Sequence, residues 1–168
     1  MVEVRKMTDA LIAGAMTQTS RDSRRSDLMR LRDRAFRTAY AIVNDRELAE
    51  DVTQEALIRA MEKVDGSVVD LAAWLRIIVV RTALNSFRKG RPNALEVDGP
   101  SIEAPVDERL QIELTLGRLS PEQRAILALA YHEGLSYREI SEILNVPEGT
   151  VSSRLSAAKQ AFQQEYSR

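Results

Sequence analysis

The 168-residue sequence predicts an all-α protein made of two small helical domains joined by a flexible linker. Three observations predict it. Apolar residues recur at helical spacing from Leu28 onward, and the alternating pattern of half-buried strands is almost absent. Two such periodic groups, about Asp27–Arg91 and Arg109–Phe162, flank "GRPNALEVDGPSIEAPVDE", where three prolines, two glycines and five acids break any sustained period. A hydrophobic content of 44% supplies packed cores, and the length fits one domain or two small ones. The division that results is a flexible tail over 1–26, a first domain over 27–92, an acidic linker over 93–108 and a second domain over 109–168. A linker with no core of its own lets two domains move relative to each other, so mobility between them is expected.

The tail contains "MTQTSRDSRRSD", whose Ser, Thr and Arg content predicts a mobile segment rather than another packed element. In the first domain a helix after Asp45 places Leu48, Val52, Ala56 and Ala60 on its apolar side. Glu47, Glu50, Asp51, Gln54 and Glu55 make its outer face, with Arg46 and Arg59 near enough for intrahelical pairing. A solvated face accounts for that distribution on spacing alone. The next helix starts with Asp70 as N-cap and directs Trp74, Leu75, Ile78 and Leu84 to the core. Arg76, Arg81, Asn85, Arg88, Lys89 and Arg91 follow toward its end. Trp74 could stack on a base, but inside "AAWLRII" it reads as core.

The second domain has its helix starts written out chemically. In "LSPEQ" Ser120 is the N-cap, Pro121 the first helical residue and Gln123 the capping-box partner. Gly134 can end that helix in the left-handed conformation. In "LSYREI" Ser136 caps and Glu139 reaches back, after which Ile140, Ile143 and Leu144 continue a buried face. "NVPEG" interrupts the period, Pro147 and Glu148 suit a new helix start, and Val151, Leu155, Ala158 and Phe162 share one face of the last helix.

Composition narrows the function classes. The chain has no cysteine, which rules out disulfides and thiolate metal sites, and its single histidine, His132, leaves little for a histidine-based active site. No paired carboxylates, nucleophile and base set or phosphate loop is present, so the sequence offers no catalytic residues, metal site or cofactor site and no small-molecule substrate. No apolar run approaches the ~20 residues of a membrane span, so a soluble, cytoplasmic protein without membrane insertion is expected. The net charge of −1 conceals blocks of opposite sign. Gly66–Leu95 holds five Lys or Arg against Asp70, a net +4, whereas Glu96–Ser120 holds six acids against Arg109 and Arg118, a net −4.

The last two helices, over "LSYREISEILNVPEGTVSSRLSAAKQAF", have the layout of a helix-turn-helix. The outer face of the second carries Ser152, Ser153, Arg154, Ser156 and Lys159, with Thr150 beside them. Short polar side chains with two cations can approach base edges and phosphates, and a plain helical hairpin with a solvated face has the same spacing. "LSPEQRAILALAYHEGLSYREISEILNVPEGTVSSRLSAAKQAF" resembles the C-terminal, region 4 domain of bacterial sigma factors of the extracytoplasmic-function (ECF) class, in the sigma-70 superfamily. "NDRELAEDVTQEALIRAMEKV" followed by "AAWLRIIVVRTALNSFRKGRP" is similar to sigma region 2, a helical bundle. The resemblance covers about Asp27–Phe162 in the family's order.

That resemblance implies a transcription initiation factor that binds core RNA polymerase and directs it to promoter DNA. Glu50, Asp51, Gln54 and Glu55 would dock on the polymerase. Arg81, Asn85, Arg88 and Lys89 would contact the minus-ten element, and the loop "DGSVVD" would pocket a flipped base. Thr150, Ser152, Ser153, Arg154, Ser156 and Lys159 would read the minus-thirty-five element. An anti-sigma protein is a further partner in this family, and a sigma-like decoy that binds one instead of promoter DNA is the alternative function. Two departures stand out. Ser152 and Ala157 occupy positions where the family often has a basic residue, which predicts weak DNA binding by the isolated domain or preference for an unusual element. The family's helical lead-in before "AFRTAYAIV" is replaced by the Ser/Arg-rich tail.

Overall fold

The computed structural model describes residues 22–64, 67–88 and 108–168. The described residues are helical, with no strand among them. The first group contains α1 (22–30), α2 (Arg32–Val43), α3 (Arg46–Lys63) and α4 (Leu71–Arg88). The second contains α5 (Glu108–Gly117), α6 (Pro121–Leu127), α7 (Tyr137–Leu144) and α8 (Glu148–Tyr166). The linker expected over 93–108 lies outside the described residues except for Glu108, which opens α5.

Local chemistry sets the helix starts. Asp45 caps α3 by accepting the Leu48 N–H at 2.7 Å, and Asp70 caps α4 by accepting the Ala73 N–H at 2.9 Å. Both capping boxes of the second group form, Ser120 with Gln123 and Ser136 with Glu139. Asn44 and Asn145 end α2 and α7 in the left-handed region, and Gly134 has φ +66. Gly117 lies close to the end of α2, where a Cβ would stand 3.0 Å from the Asn44 side-chain amide nitrogen and press on it.

The last five residues of the expected tail, 22–26, open a helix that runs to residue 30 and gives α2 a helical lead-in, while residues 1–21 lie outside the described residues. Leu28 is fully buried, and Arg24 Nη1 donates to the Val68 carbonyl at 2.6 Å. Asp22–Arg25 and Asp27–Arg30 pair one turn apart on its surface. A polar helix of this kind is fixed by one apolar anchor and one long-range bond, neither of which composition reveals.

The two groups are not packed independently. Ile42, Val52 and Val79 of the first belong to the same contiguous buried cluster as Ile126, Leu129, Ile140 and Val151 of the second. Helix α6 and its extension lie against α2, and α4 touches both α6 and α7. Arg124 on α6 is 2% exposed and reaches across the contact. Its Nε donates to the Ile42 carbonyl at 2.6 Å and its Nη1 to the Leu119 carbonyl at 2.7 Å, with the Leu116 and Gly117 carbonyls at 3.3 and 3.4 Å. The guanidinium also lies over the Phe87 ring of α4, 5.6 Å from its centroid. The Ile42, Leu116 and Gly117 carbonyls belong to the C-terminal turns of α2 and α5, where helices present unpaired acceptors and negative dipole ends, and the Leu119 carbonyl lies in the loop between α5 and α6. Burial pushes the Arg124 guanidinium down to about 10, against the raising influence of Glu122.

Beyond α6 the chain runs through a π-turn, Ala128–His132, closed by the Glu133 N–H to the Ala128 carbonyl at 2.9 Å. Glu133 then projects onto α2 and α4. Replacing Arg124 with Ala is expected to leave the carbonyls at two helix ends without their donor and to lower stability by about 3 kcal/mol in urea unfolding. Arg124→Lys should recover only part of that loss, because one ammonium cannot reproduce the planar fork.

Candidate nucleic-acid interface

Helix α7 buries Ile140 and Ile143, ends at Asn145, and is followed after a short turn by α8 with Pro147 at its N-cap. Val151, Leu155 and Ala158 seat α8 against the body of the second group. The face opposite them is therefore turned outward. Ser152, Ser153, Arg154, Ser156 and Lys159 are all exposed, and Thr150 is half-buried at the same end. Ser153 donates back to the Thr150 carbonyl at 3.1 Å, which fixes its hydroxyl along the helix. Lys159 is engaged differently from the rest. Its Nζ lies 5.3 Å from the Tyr131 ring centroid, and the nearness of Tyr131 raises its pKa above the usual lysine value. Tyr131 is an aromatic neighbour of this cation that the sequence reading did not single out.

The basic stretch resolves into two parts. Arg81, Asn85 and Arg88 are exposed and spaced i, i+4 and i+7, so they share one outward face of α4. Lys89 lies outside the described residues, as do Asp65 and Gly66 of the "DGSVVD" loop. The rest of that loop presents Val69 fully to solvent just before α4. Arg76 does not join this face. Its Nη1 donates to Glu133 Oε2 at 3.1 Å, and its side chain is 14% exposed. Trp74 is half-buried against the core, as its apolar surroundings predicted.

On α3 the expected apolar side, Leu48, Val52, Ala56 and Ala60, is buried, together with Ala49, Thr53 and Leu57. Asp51, Gln54 and Glu55 are exposed and Glu50 is half-buried. Arg46 stands 3.7 Å from Glu50, and Arg59 pairs with Glu55. Asp51, Gln54, Glu55 and Arg59 surround Ile58, which is 58% exposed. The sequence reading missed Ile58, although its position seven residues beyond Asp51 and four beyond Gln54 puts it on the acidic face. An apolar centre ringed by charged and amide groups has the makeup of a protein-docking surface.

Among the described residues, no group of three or more His, Asp or Glu is placed to hold a metal ion, and no helix is long and apolar enough to cross a membrane. Family models described as Sigma-70 region 2 and Sigma-70, region 4 match residues 28–92 and 109–162. The chain is 27% identical over 156 residues to "ECF RNA polymerase sigma factor SigW" of Bacillus subtilis, covering 80% of this chain and 83% of that one. It is 31% identical over 140 residues to "ECF RNA polymerase sigma factor SigL" of Mycobacterium tuberculosis, covering 76% and 79%. Among solved structures, the sigma factor RpoE of Bartonella quintana, crystallised with the anti-sigma factor NepR, shares the fold with a TM-score of 0.64. That match has 23% identity and covers 83% of this chain and 94% of that one. Both domain matches, in order on one all-helical chain, and the level of identity to SigL place this protein in the family of ECF RNA polymerase sigma factors.

Proposed function

We propose that this sigma factor docks on core RNA polymerase through the outer face of α3 and directs it to promoters that α8 reads at the minus-thirty-five element and α4 engages at the minus-ten element. The observation that supports it best is the division of α8 into a buried edge, Val151, Leu155 and Ala158, and an outward edge of small hydroxyls with Arg154. Hydroxyls at Ser152, Ser153 and Ser156 leave room for a phosphate backbone to come close, while the longer Arg154 reaches a base edge. On α4, the row of Arg81, Asn85 and Arg88 suits the backbone of a strand being separated, and exposed Val69 suits the apolar side of a pocket for an unstacked base. A decoy that binds only an anti-sigma protein has no use for that basic row, which favours promoter binding. In this reading the protein acts in the cytoplasm and carries out no covalent chemistry of its own, with an anti-sigma protein as a further partner.

The polymerase contact combines charge and apolar surface. Asp51 and Glu55 steer and orient the encounter, while Ile58 supplies the desolvated centre. Charge reversal of Asp51 and Glu55 together is expected to lower co-purification with core polymerase at least tenfold without changing helical content, because neither side chain is part of the core. Binding equal to the parent's would remove α3 from the interface.

Arg154 and Lys159 are separable by their dependence on sequence and salt. Arg154→Ala is expected to cost about 1–3 kcal/mol at a promoter and to relax preference at one base position. Lys159→Ala is expected to weaken binding across sequences and to reduce the salt dependence by about one ion. Promoter-specific initiation with core polymerase, measured on a panel of minus-thirty-five variants over a salt series, distinguishes them. Initiation by both variants at the parental rate on every template would show that α8 does not read DNA.

A further inference from the structure

The chain that enters α4 is held on both sides of Val69. Before it, the Val68 carbonyl accepts from Arg24 Nη1 at 2.6 Å, a bond that comes from α1, 44 residues earlier. After it, the Asp70 side chain accepts the Ala73 N–H at 2.9 Å, and the Asp70 carbonyl accepts the Trp74 N–H at 3.0 Å. Val69 itself is fully exposed. A single exposed valine is ordinary on a protein surface. A valine whose two neighbours are both tied by hydrogen bonds cannot turn back onto the core, so its exposure is imposed by the backbone on either side.

The packing of α1 places Arg24 for this bond. Arg24 lies one turn before Leu28 on the same face, and Leu28 is fully buried. Just beyond α1, Leu31 and Ala35 line a small cleft with Ala72 and Leu75 from the first turns of α4. The corner between α1 and α2 is therefore a neighbour of the loop that leads into α4. Apolar contact sets the distance, and the guanidinium makes the bond. Arg24 is half-buried, which shields that bond from competing water.

We infer that Arg24 is a positioning residue for minus-ten recognition, which presents Val69 to an unstacked base by holding the Val68 carbonyl. The inference rests on the proposed role of Val69 beside such a base. A loop ordered in advance loses little conformational freedom when it receives its ligand, so anchoring it from α1 moves that loss from promoter opening to folding. The test compares Arg24→Met, which keeps an unbranched stem and removes the guanidinium donors, with Arg24→Lys, which keeps a cationic donor. In the free protein, amide hydrogen exchange over residues 67–73 should rise about tenfold in Arg24→Met, with parental helical content by circular dichroism. With core polymerase, promoter opening is read from a fluorescent base analogue placed next to a minus-ten position that is varied through all four bases. Arg24→Met should narrow the ratio between the preferred and the disfavoured bases about three- to tenfold, the scale of one lost hydrogen bond, and Arg24→Lys should recover part of it. A loss of stability alone would lower opening on every template by one factor and leave the ratio parental. Parental exchange over 67–73 in Arg24→Met overturns the anchoring, and raised exchange with a parental ratio overturns its role in base reading. Val69→Asp separates this failure from that of the underlying reading. A parental ratio in Val69→Asp shows that the loop receives no base, and the proposed role of Val69 falls together with the inference. A collapsed ratio in Val69→Asp beside a parental ratio in Arg24→Met overturns the inference alone. Loss of helical content in Arg24→Met moves the decision to Arg24→Ala, the substitution most favourable within a helix, with the same expected and overturning results.

Discussion

The arrangement depends on one guanidinium. Arg124 donates to carbonyls at the ends of α2 and α5 while its face lies on Phe87 of α4, so a single side chain ties α6 to three other helices. Helix C-termini that converge in an apolar interior create a concentration of unpaired acceptors, and a buried cation with several rigid donors is the economical way to satisfy it. Lysine offers a point charge that could not face four carbonyls in different directions. Once Arg124 fixes the approach of α6 to α2, the π-turn that follows determines where Glu133 falls, and the second polar contact forms on the same side. The two contacts differ in kind. Arg124 serves carbonyls that exist as soon as the helices form, whereas Glu133 joins side chains that can be solvated separately.

What the sequence revealed was local. Both capping boxes, the Asp70 cap, the left-handed Gly134 and the inward face of α8 depend on residues within four positions of each other, and each was read from spacing and residue type. The outward positions of Ser152, Ser153, Arg154, Ser156 and Lys159 followed from the same periodicity. What escaped was the set of contacts across long separations. Glu133 and Thr38 are 95 residues apart, and Arg124 and Ile42 are 82 apart. Arg124 did leave a trace, since a lone arginine beside Ala125 and Ile126 occupies a position the helix must bury. Glu133 left none, because its inward direction is set by a π-turn that the sequence pattern "ALAYHEG" does not distinguish from an ordinary helix end. The contact between the two groups escaped for the same reason: linker composition says what the linker cannot pack, and nothing about what the domains do to each other.

Charge is distributed in keeping with assembly rather than with independent DNA binding. The outer face of α3 is acidic around Ile58, the outer face of α4 is basic, and α8 carries only Arg154 and Lys159 among hydroxyls. Phosphate anchoring grows with the number of cations that release counterions, so two cations on α8 give the second domain little affinity for DNA in general. Lys159 lies by the Tyr131 ring, which in the proposed reading leaves Arg154 as the side chain with the reach and planar geometry to discriminate a base.

In the proposed reading, few cations on α8 and the packing of the two groups against each other act toward the same end by different physics. The first limits how long an unassembled sigma factor stays on DNA, and the second limits whether it can touch both elements at all. A free chain with many phosphate contacts would be spread over nonspecific sites, which outnumber promoters by several orders of magnitude. A free chain with permanently separated domains would be held at isolated half-sites. In the proposed function, docking at α3 would bring α4 and α8 to the promoter on one assembly and convert two weak contacts into one bivalent contact whose second half forms at high effective concentration. Promoter specificity then belongs to the assembly, and the sequence of α8 can afford hydroxyls where a stand-alone DNA-binding protein would need arginines.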